Sequence, residues 1–184
     1  PAACGRPKPR EGFYAVAADP HEVRKLADRP EFAEPQRALS VKLRAHLIAT
    51  RDTGFIPEGM AKRLAASGDL ITYARGPAYP IERVVDLADL AAARDPRHLG
   101  ALQAALADPH PVIRYWGAQG CLILGAQAAP ARDALRARLR DEWADVPVAA
   151  AEALGHLGEL DAALAALGEV IRAGEADEVL AALN

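Results

Sequence analysis

The chain has 184 residues, 51% of them hydrophobic and only 5% aromatic, with a formal net charge of −3. That length holds one ordinary core or a short repeat array, and the mild charge argues against a nucleic-acid or acidic-membrane surface as partner. Alanine carries much of the apolar share and β-branched residues are sparse, so helix is the expected state. No apolar run approaches the roughly 20 residues needed to span a bilayer. Cys4 and Cys121 lie far apart and neither sits in a CxxC pair, which excludes a disulfide framework and zinc-ligand spacing.

Residues 1–12 are rich in Pro, Gly, Lys and Arg and read as a loop or an ill-ordered end. The opening PAACGRPKPR lacks the apolar segment of a signal peptide and an initiator methionine, and the chain reads as a fragment of a longer protein. Phe13–Ala17 alternates and predicts a short strand. Asp19-Pro20 is a helix-start pair, with Asp19 as cap, predicting one turn of helix through Leu26. A longer helix is expected from about Glu31 to Arg51, with Pro35 in its first turn, Leu39, Leu43, Leu47 and Ile48 on one face, and Gly54 ending it.

From there helix follows helix: Pro57–Ala66, Pro80–Ala93, His98–Ala107, Pro111–Leu124, Ala131–Trp143, Val146–Leu157, Leu160–Arg172 and a final piece from about Asp177. Each is too short to be stable alone in water, so side-by-side packing must hold them. Leu102, Leu106, Ile113 and Gly125 recur 33 residues later as Leu135, Leu139, Val146 and Gly158. A weaker third copy follows at 32, through Leu167, Ile171 and Ala182. Such a period indicates stacked helical pairs, an α-solenoid. Asp108-Pro109-His110-Pro111 is then a turn between the helices of one pair, because its prolines forbid one continuous helix. Gly117, Ala118 and Gly120 allow neighbouring helices to approach closely, and Arg114 can lie across an apolar neighbour and reach an acidic residue or a helix C-terminus.

Ile113-Arg114, then Ala118, then Leu124-Gly125 resembles the consensus of HEAT-like repeats. Val146-Pro147 through Ala150-Ala151 to Leu154-Gly155-His156-Leu157-Gly158 matches it in spacing, but Pro147 stands at the arginine position and weakens any inter-repeat arginine ladder. Phe13-Tyr14, Asp19-Pro20-His21-Glu22-Val23 and Leu26-Ala27 resemble the ending of the sulfatase family's C-terminal subdomain, with Arg24 and Lys25 replacing its two usual asparagines. The segment Arg51–Glu58 also resembles the end of bacterial sulfatases. Some of those carry a HEAT-like tail that begins with a segment like Ala78-Tyr79-Pro80-Ile81-Glu82. The resemblance implies an all-α fold in three parts: residues 1–12 as a loop, 13–55 as the end of a sulfatase-like subdomain, and 56–184 as HEAT-like repeats with the last incomplete. It implies a parent hydrolase of sulfate esters, periplasmic or extracellular if typical, whose formylglycine-forming cysteine and calcium ligands lie in another domain. Neither Cys4 nor Cys121 stands in the required Cys-x-Pro-x-Arg context. The chain itself is therefore expected to carry no catalytic, cofactor-binding or metal residue and to act as a packing or protein-interaction module. Its expected partner is the parent catalytic domain or another protein subunit. The alternative is a stand-alone HEAT-repeat scaffold without an enzymatic parent.

His110, Arg114, Tyr115 and Trp116 form the one candidate interaction surface, since Arg and aromatic residues are favoured at interfaces. Burial of Tyr115 or Trp116 against the next helical pair is the competing reading. Asp19, His21 and Glu22 could be drawn as a metal cluster, but a capped helix start accounts for them. Cys121 reads as a small core residue and His156 as a partly exposed or core histidine. Arg132, Arg136, Arg138 and Arg140 could meet a sulfated glycan, although Asp133, Asp141 and Glu142 interrupt them and a solvated helix face is the default.

Overall fold

The computed structural model describes residues 10–65 and 68–173, together with residues 179, 182 and 183. The chain is all-helical, and the described residues contain no strand. It divides into two compact units, Pro1–Ala49 and Thr50–Asn184. The piece expected from about Asp177 lies largely outside the described residues.

In the first unit, Phe13–Ala17 does not form the expected strand. The N–H groups of Ala18 and Asp19 both turn back to the Ala15 carbonyl at 2.8 Å, which ends the extended run before a ladder can start. Leu26 N–H donates to the Phe13 carbonyl at 2.8 Å, Leu26 is buried, and the Phe13 and Phe32 rings meet edge to face at 6.1 Å. The helical turn expected from Asp19-Pro20 is also missing. The Asp19 carboxylate instead accepts from the Arg24 N–H at 2.7 Å, across a loop in which Glu22 adopts a left-handed φ of 51°. A 3-10 turn at Pro30–Phe32 leads into α1 (Ala33–Thr50), close to the expected limits. On the apolar face read from the sequence, Leu39 and Leu43 are exposed, whereas Leu47 and Ile48 are half-buried.

In the second unit the helix ends follow local chemistry. Arg51, not Gly54, takes the left-handed position after α1, at φ 53°. α2 (Glu58–Leu64) follows Pro57. α3 (Leu70–Arg75) is an element the apolar spacing does not announce; Asp69 caps it by accepting from the Thr72 N–H at 2.8 Å. Next come α4 (Ile81–Ala92), α5 (Leu99–Ala105), α6 (Pro111–Leu124), α7 (Arg132–Arg138), α8 (Asp145–His156) and α9 (Leu160–Ala173). Pro111 sits at the start of α6, where its missing N–H would have had no helical partner.

The packing is serial. α4 lies against α6, α6 against α8 and α8 against α9, while α5 covers α6 and α7 covers α8. The sequence period is visible in burial: Leu102 and Leu135 are both fully buried, as are Ile113 and Val146. It is visible in the backbone too, because Gly125 and Gly158 both adopt positive φ, 57° and 89°. At α8 the Glu159 N–H bonds the Leu154 carbonyl at 2.9 Å and the Gly158 N–H bonds the Gly155 carbonyl at 3.0 Å, a Schellman stop that places glycine at the left-handed position.

Close approach of α5 to α6 depends on two missing side chains. A Cβ on Gly117 would stand 2.9 Å from the Leu102 carbonyl oxygen and 3.0 Å from the Leu106 nitrogen; one on Gly120 would stand 2.3 Å from a Leu102 methyl. The first pair are backbone atoms and cannot rotate away. Gly117→Ala is therefore expected to destabilise the protein by about 1–3 kcal/mol. Gly100→Ala, whose Cβ meets nothing within 4 Å, is expected to be neutral or to stabilise by up to about 1 kcal/mol. Urea unfolding of the two variants checks the contrast.

Candidate interaction surface

Of the four residues read as a surface, none stands open to solvent. Arg114 is buried at the start of α6, its side chain 8% exposed. Its Nε and Nη2 donate to the two Asp141 carboxylate oxygens at 2.7 and 2.8 Å, and its Nη1 donates to the carbonyls of Asp108 and Pro109 at 3.0 and 2.9 Å. The partner carboxylate is 3% exposed and also pairs with Arg138 at 3.3 Å. Arg114 thus ties the turn of its own helical pair to the turn of the next, using the planar fork that only a guanidinium offers.

Trp116 and Tyr115 are half-buried. Trp116 Nε1–H donates to the Phe55 carbonyl at 2.9 Å, and its ring lies 6.0 Å from Phe55 and 5.8 Å from Tyr115. Burial pushes the Tyr115 phenol above its usual value. His110 is half-buried, with Nε2 3.0 Å from the Tyr73 hydroxyl. Burial pushes the His110 imidazole below its usual value, so it tends to remain neutral.

The segment from Arg51 to Arg63 is the missed component. Arg51 donates to the carbonyls of Ala74 and Gly76 at the end of α3 and of Tyr79 just before α4, the last two at 2.8 and 2.7 Å. The buried Tyr79 returns a hydrogen bond to the Asp52 carbonyl at 2.8 Å. Gly59 passes so close to the buried Asp145 that a Cβ would stand 2.8 Å from its carboxylate. Arg63 donates to the Glu142 carbonyl at 2.6 Å and stacks over Trp143 at 4.0 Å. These ties bind residues 51–63 to the stacked pairs of the second unit.

The arginines of α7 are engaged. Arg136 makes a fork to Glu159 with both contacts at 2.7 Å, Arg132 donates to the Leu157 carbonyl at 3.0 Å, and Arg138 holds Asp141. Cys121 is buried, and burial pushes its thiol up to about 11. His21 and Glu22 are exposed on the loop that Asp19 closes. Among the described residues no group of three or more His, Cys, Asp or Glu could hold a metal ion, and no helix is long and apolar enough to cross a membrane.

One open groove, of about 400 Å³, lies between the α7–α8 turn, the start of α8 and α9. Leu139, Pro147 and Val170 contribute apolar wall, and Arg140, Glu142 and Glu169 contribute charge. It is lined partly by the repeat positions equivalent to those around Arg114. Compared with protein-family models, with curated proteins and with solved structures, the chain finds no match.

Two outcomes follow from this geometry. Arg114→Met leaves a buried carboxylate short of its main partner and is expected to cost about 3–5 kcal/mol, whereas R114M combined with Asp141→Leu recovers most of that loss; thermal unfolding of the single and double variants checks it. The Cys121 thiol has little thiolate at pH 8, so iodoacetamide should label its peptide in urea at least about tenfold faster than in the folded protein, read by mass spectrometry.

Proposed function

We propose that this chain is a non-catalytic helical-repeat module of HEAT-like type, a short α-solenoid that forms the C-terminal tail of a sulfatase-like protein. It acts by packing against a protein partner, either the parent's catalytic domain or another subunit. The observation that carries the reading is the coincidence of the 33-residue sequence period with equal burial of Leu102 and Leu135, positive φ at Gly125 and Gly158, and Arg114 bridging successive pairs. A chain built from successive pairs presents extended surface in proportion to its length, which suits binding. The sulfatase-like assignment rests on the segments around Asp19-Pro20 and Arg51–Glu58 and on their order before the repeats. Formylglycine chemistry and calcium would belong to the parent's other domain, and no residue here is assigned to either.

The test joins genetics to assay. The DNA upstream of the Pro1 codon is expected to encode, in frame, a Cys-x-Pro-x-Arg motif. The chain alone is expected to leave 4-methylumbelliferyl sulfate intact and to co-elute with the separately expressed upstream domain in size-exclusion chromatography. Turnover by the chain alone would overturn the non-catalytic reading. A start codon close upstream, with no such motif, would leave a stand-alone scaffold and end the sulfatase assignment.

A further inference from the structure

We propose that the outer face of α9 is a self-association surface, on which a second copy of this chain docks through the same helix run antiparallel. This names a partner for the interaction-module reading and rests on it. α9 packs on α8 through small residues: Ala163 and Ala166 are buried beside Ala151, and Leu139 and Leu167 close that cluster at its edges. The larger side chains of α9 lie elsewhere. Leu160 and Leu164 are 62% and 65% exposed, and Ile171 is 39% exposed. These three fall within about 40° of one another round the helix, whereas Ala163 and Ala166 lie roughly 100–160° from Leu164. A helix that is apolar on a second face has a second face to bury.

That face is complementary to itself. Reversed about a point near Ala166, Leu160 meets Ile171 of the second copy, and Leu164 meets Gly168. Gly168 supplies the hollow: a Cβ there would have nothing nearer than an Arg172 nitrogen at 3.8 Å. Glycine within a helix is unfavourable by itself, and close packing at that point offsets the loss. The charges follow the same symmetry. Asp161 and Arg172 are exposed near opposite ends of α9 and fall about 20° apart round the helix, on one flank of the apolar stripe. In an antiparallel pair each flank meets its own counterpart, so Asp161 comes beside Arg172 of the second copy at both ends. The opposed helix dipoles favour the same direction. An anionic membrane suits this face less well, because Asp161 and Glu169 outnumber Arg172 among the charges of α9. A 14-residue helix is about 21 Å long. One pair of that length makes a small interface, which sets weak, reversible association.

The test is sedimentation equilibrium of the full chain from about 10 μM to about 1 mM. A monomer–dimer equilibrium is expected, with a Kd on the order of 10–500 μM. Leu164→Glu should weaken it at least about tenfold and leave the thermal melt of the dilute chain unchanged, because Leu164 is exposed in the monomer. Asp161→Arg and Arg172→Asp should each weaken association alone. An equimolar mixture of D161R and R172D should restore it, since opposite charges then face each other at both ends of the mixed pair. A chain that stays monomeric at the highest concentration, association undiminished by L164E, or a mixture no tighter than either variant alone overturns the self-pairing. So does loss of co-elution with the upstream domain in L164E when the chain alone is monomeric, which gives the face to that domain. Dimerisation without co-elution upholds the self-pairing and removes the catalytic domain as partner, so the two readings fail separately.

Discussion

Most of the second unit's order depends on one buried ion pair. Arg114 and Asp141 lie 27 residues apart in sequence and belong to successive helical pairs, yet their side chains are almost fully removed from solvent. Burying either charge alone would be costly, and the cost is offset because every strong donor and acceptor finds a partner. The carbonyls of Asp108 and Pro109 take the third side of the guanidinium, so the turn between α5 and α6 is held by the same group. A nonpolar contact of equal area would allow the pairs to slide. A fork with four acceptors sets one rotation and one spacing.

Close packing then works within limits that this rung sets. α5 can rest on α6 only because residues 117 and 120 are glycines. The seven-residue α2 passes close to Asp145 at Gly59, where a Cβ would press on the carboxylate. These contacts use alanine and glycine where many helical proteins use leucine, which is consistent with a chain that is apolar but poor in large side chains. Small residues bring backbones close and leave little room for adjustment.

What could be read beforehand was what repeats or is marked by proline. α4 and α6 begin where Pro80 and Pro111 place them, and the Leu102/Leu135 and Gly125/Gly158 correspondences reappear as burial and as backbone conformation. Local signals with two readings failed. Asp19-Pro20 has the form of a helix start, but the same carboxylate closes a loop onto Arg24. Phe13–Ala17 alternates as strands do, yet a strand needs a ladder partner and the chain turns back first. The Asp69-to-Thr72 spacing that caps α3 was legible in principle, since a carboxylate three residues before a free N–H is a standard start. That Arg114 would reach an acidic residue and that Trp116 could be buried was readable; which partners they take was not, because Asp141 and Phe55 are 27 and 61 positions away.

The segment from Arg51 to Arg63 has a consequence for how the molecule is made. Its anchors are far along the chain: Trp116 from Phe55, and Glu142 from Arg63, 79 residues away. The stacked pairs, by contrast, join neighbours that follow one another closely in sequence. Contacts of short span form early, and contacts of long span wait for the surface that completes them. The equilibrium cost of the wider loop is small, under about 1 kcal/mol beyond that of a rung 27 residues long. Kinetically the difference is larger, because Trp116, which receives Phe55, and Trp143, which receives Arg63, are made well after residues 51–63. During synthesis this stretch cannot dock fully until residues through Trp143 have emerged, so Ile56 and Met60, both buried in the folded unit, stay in water longer than their early place in the chain suggests.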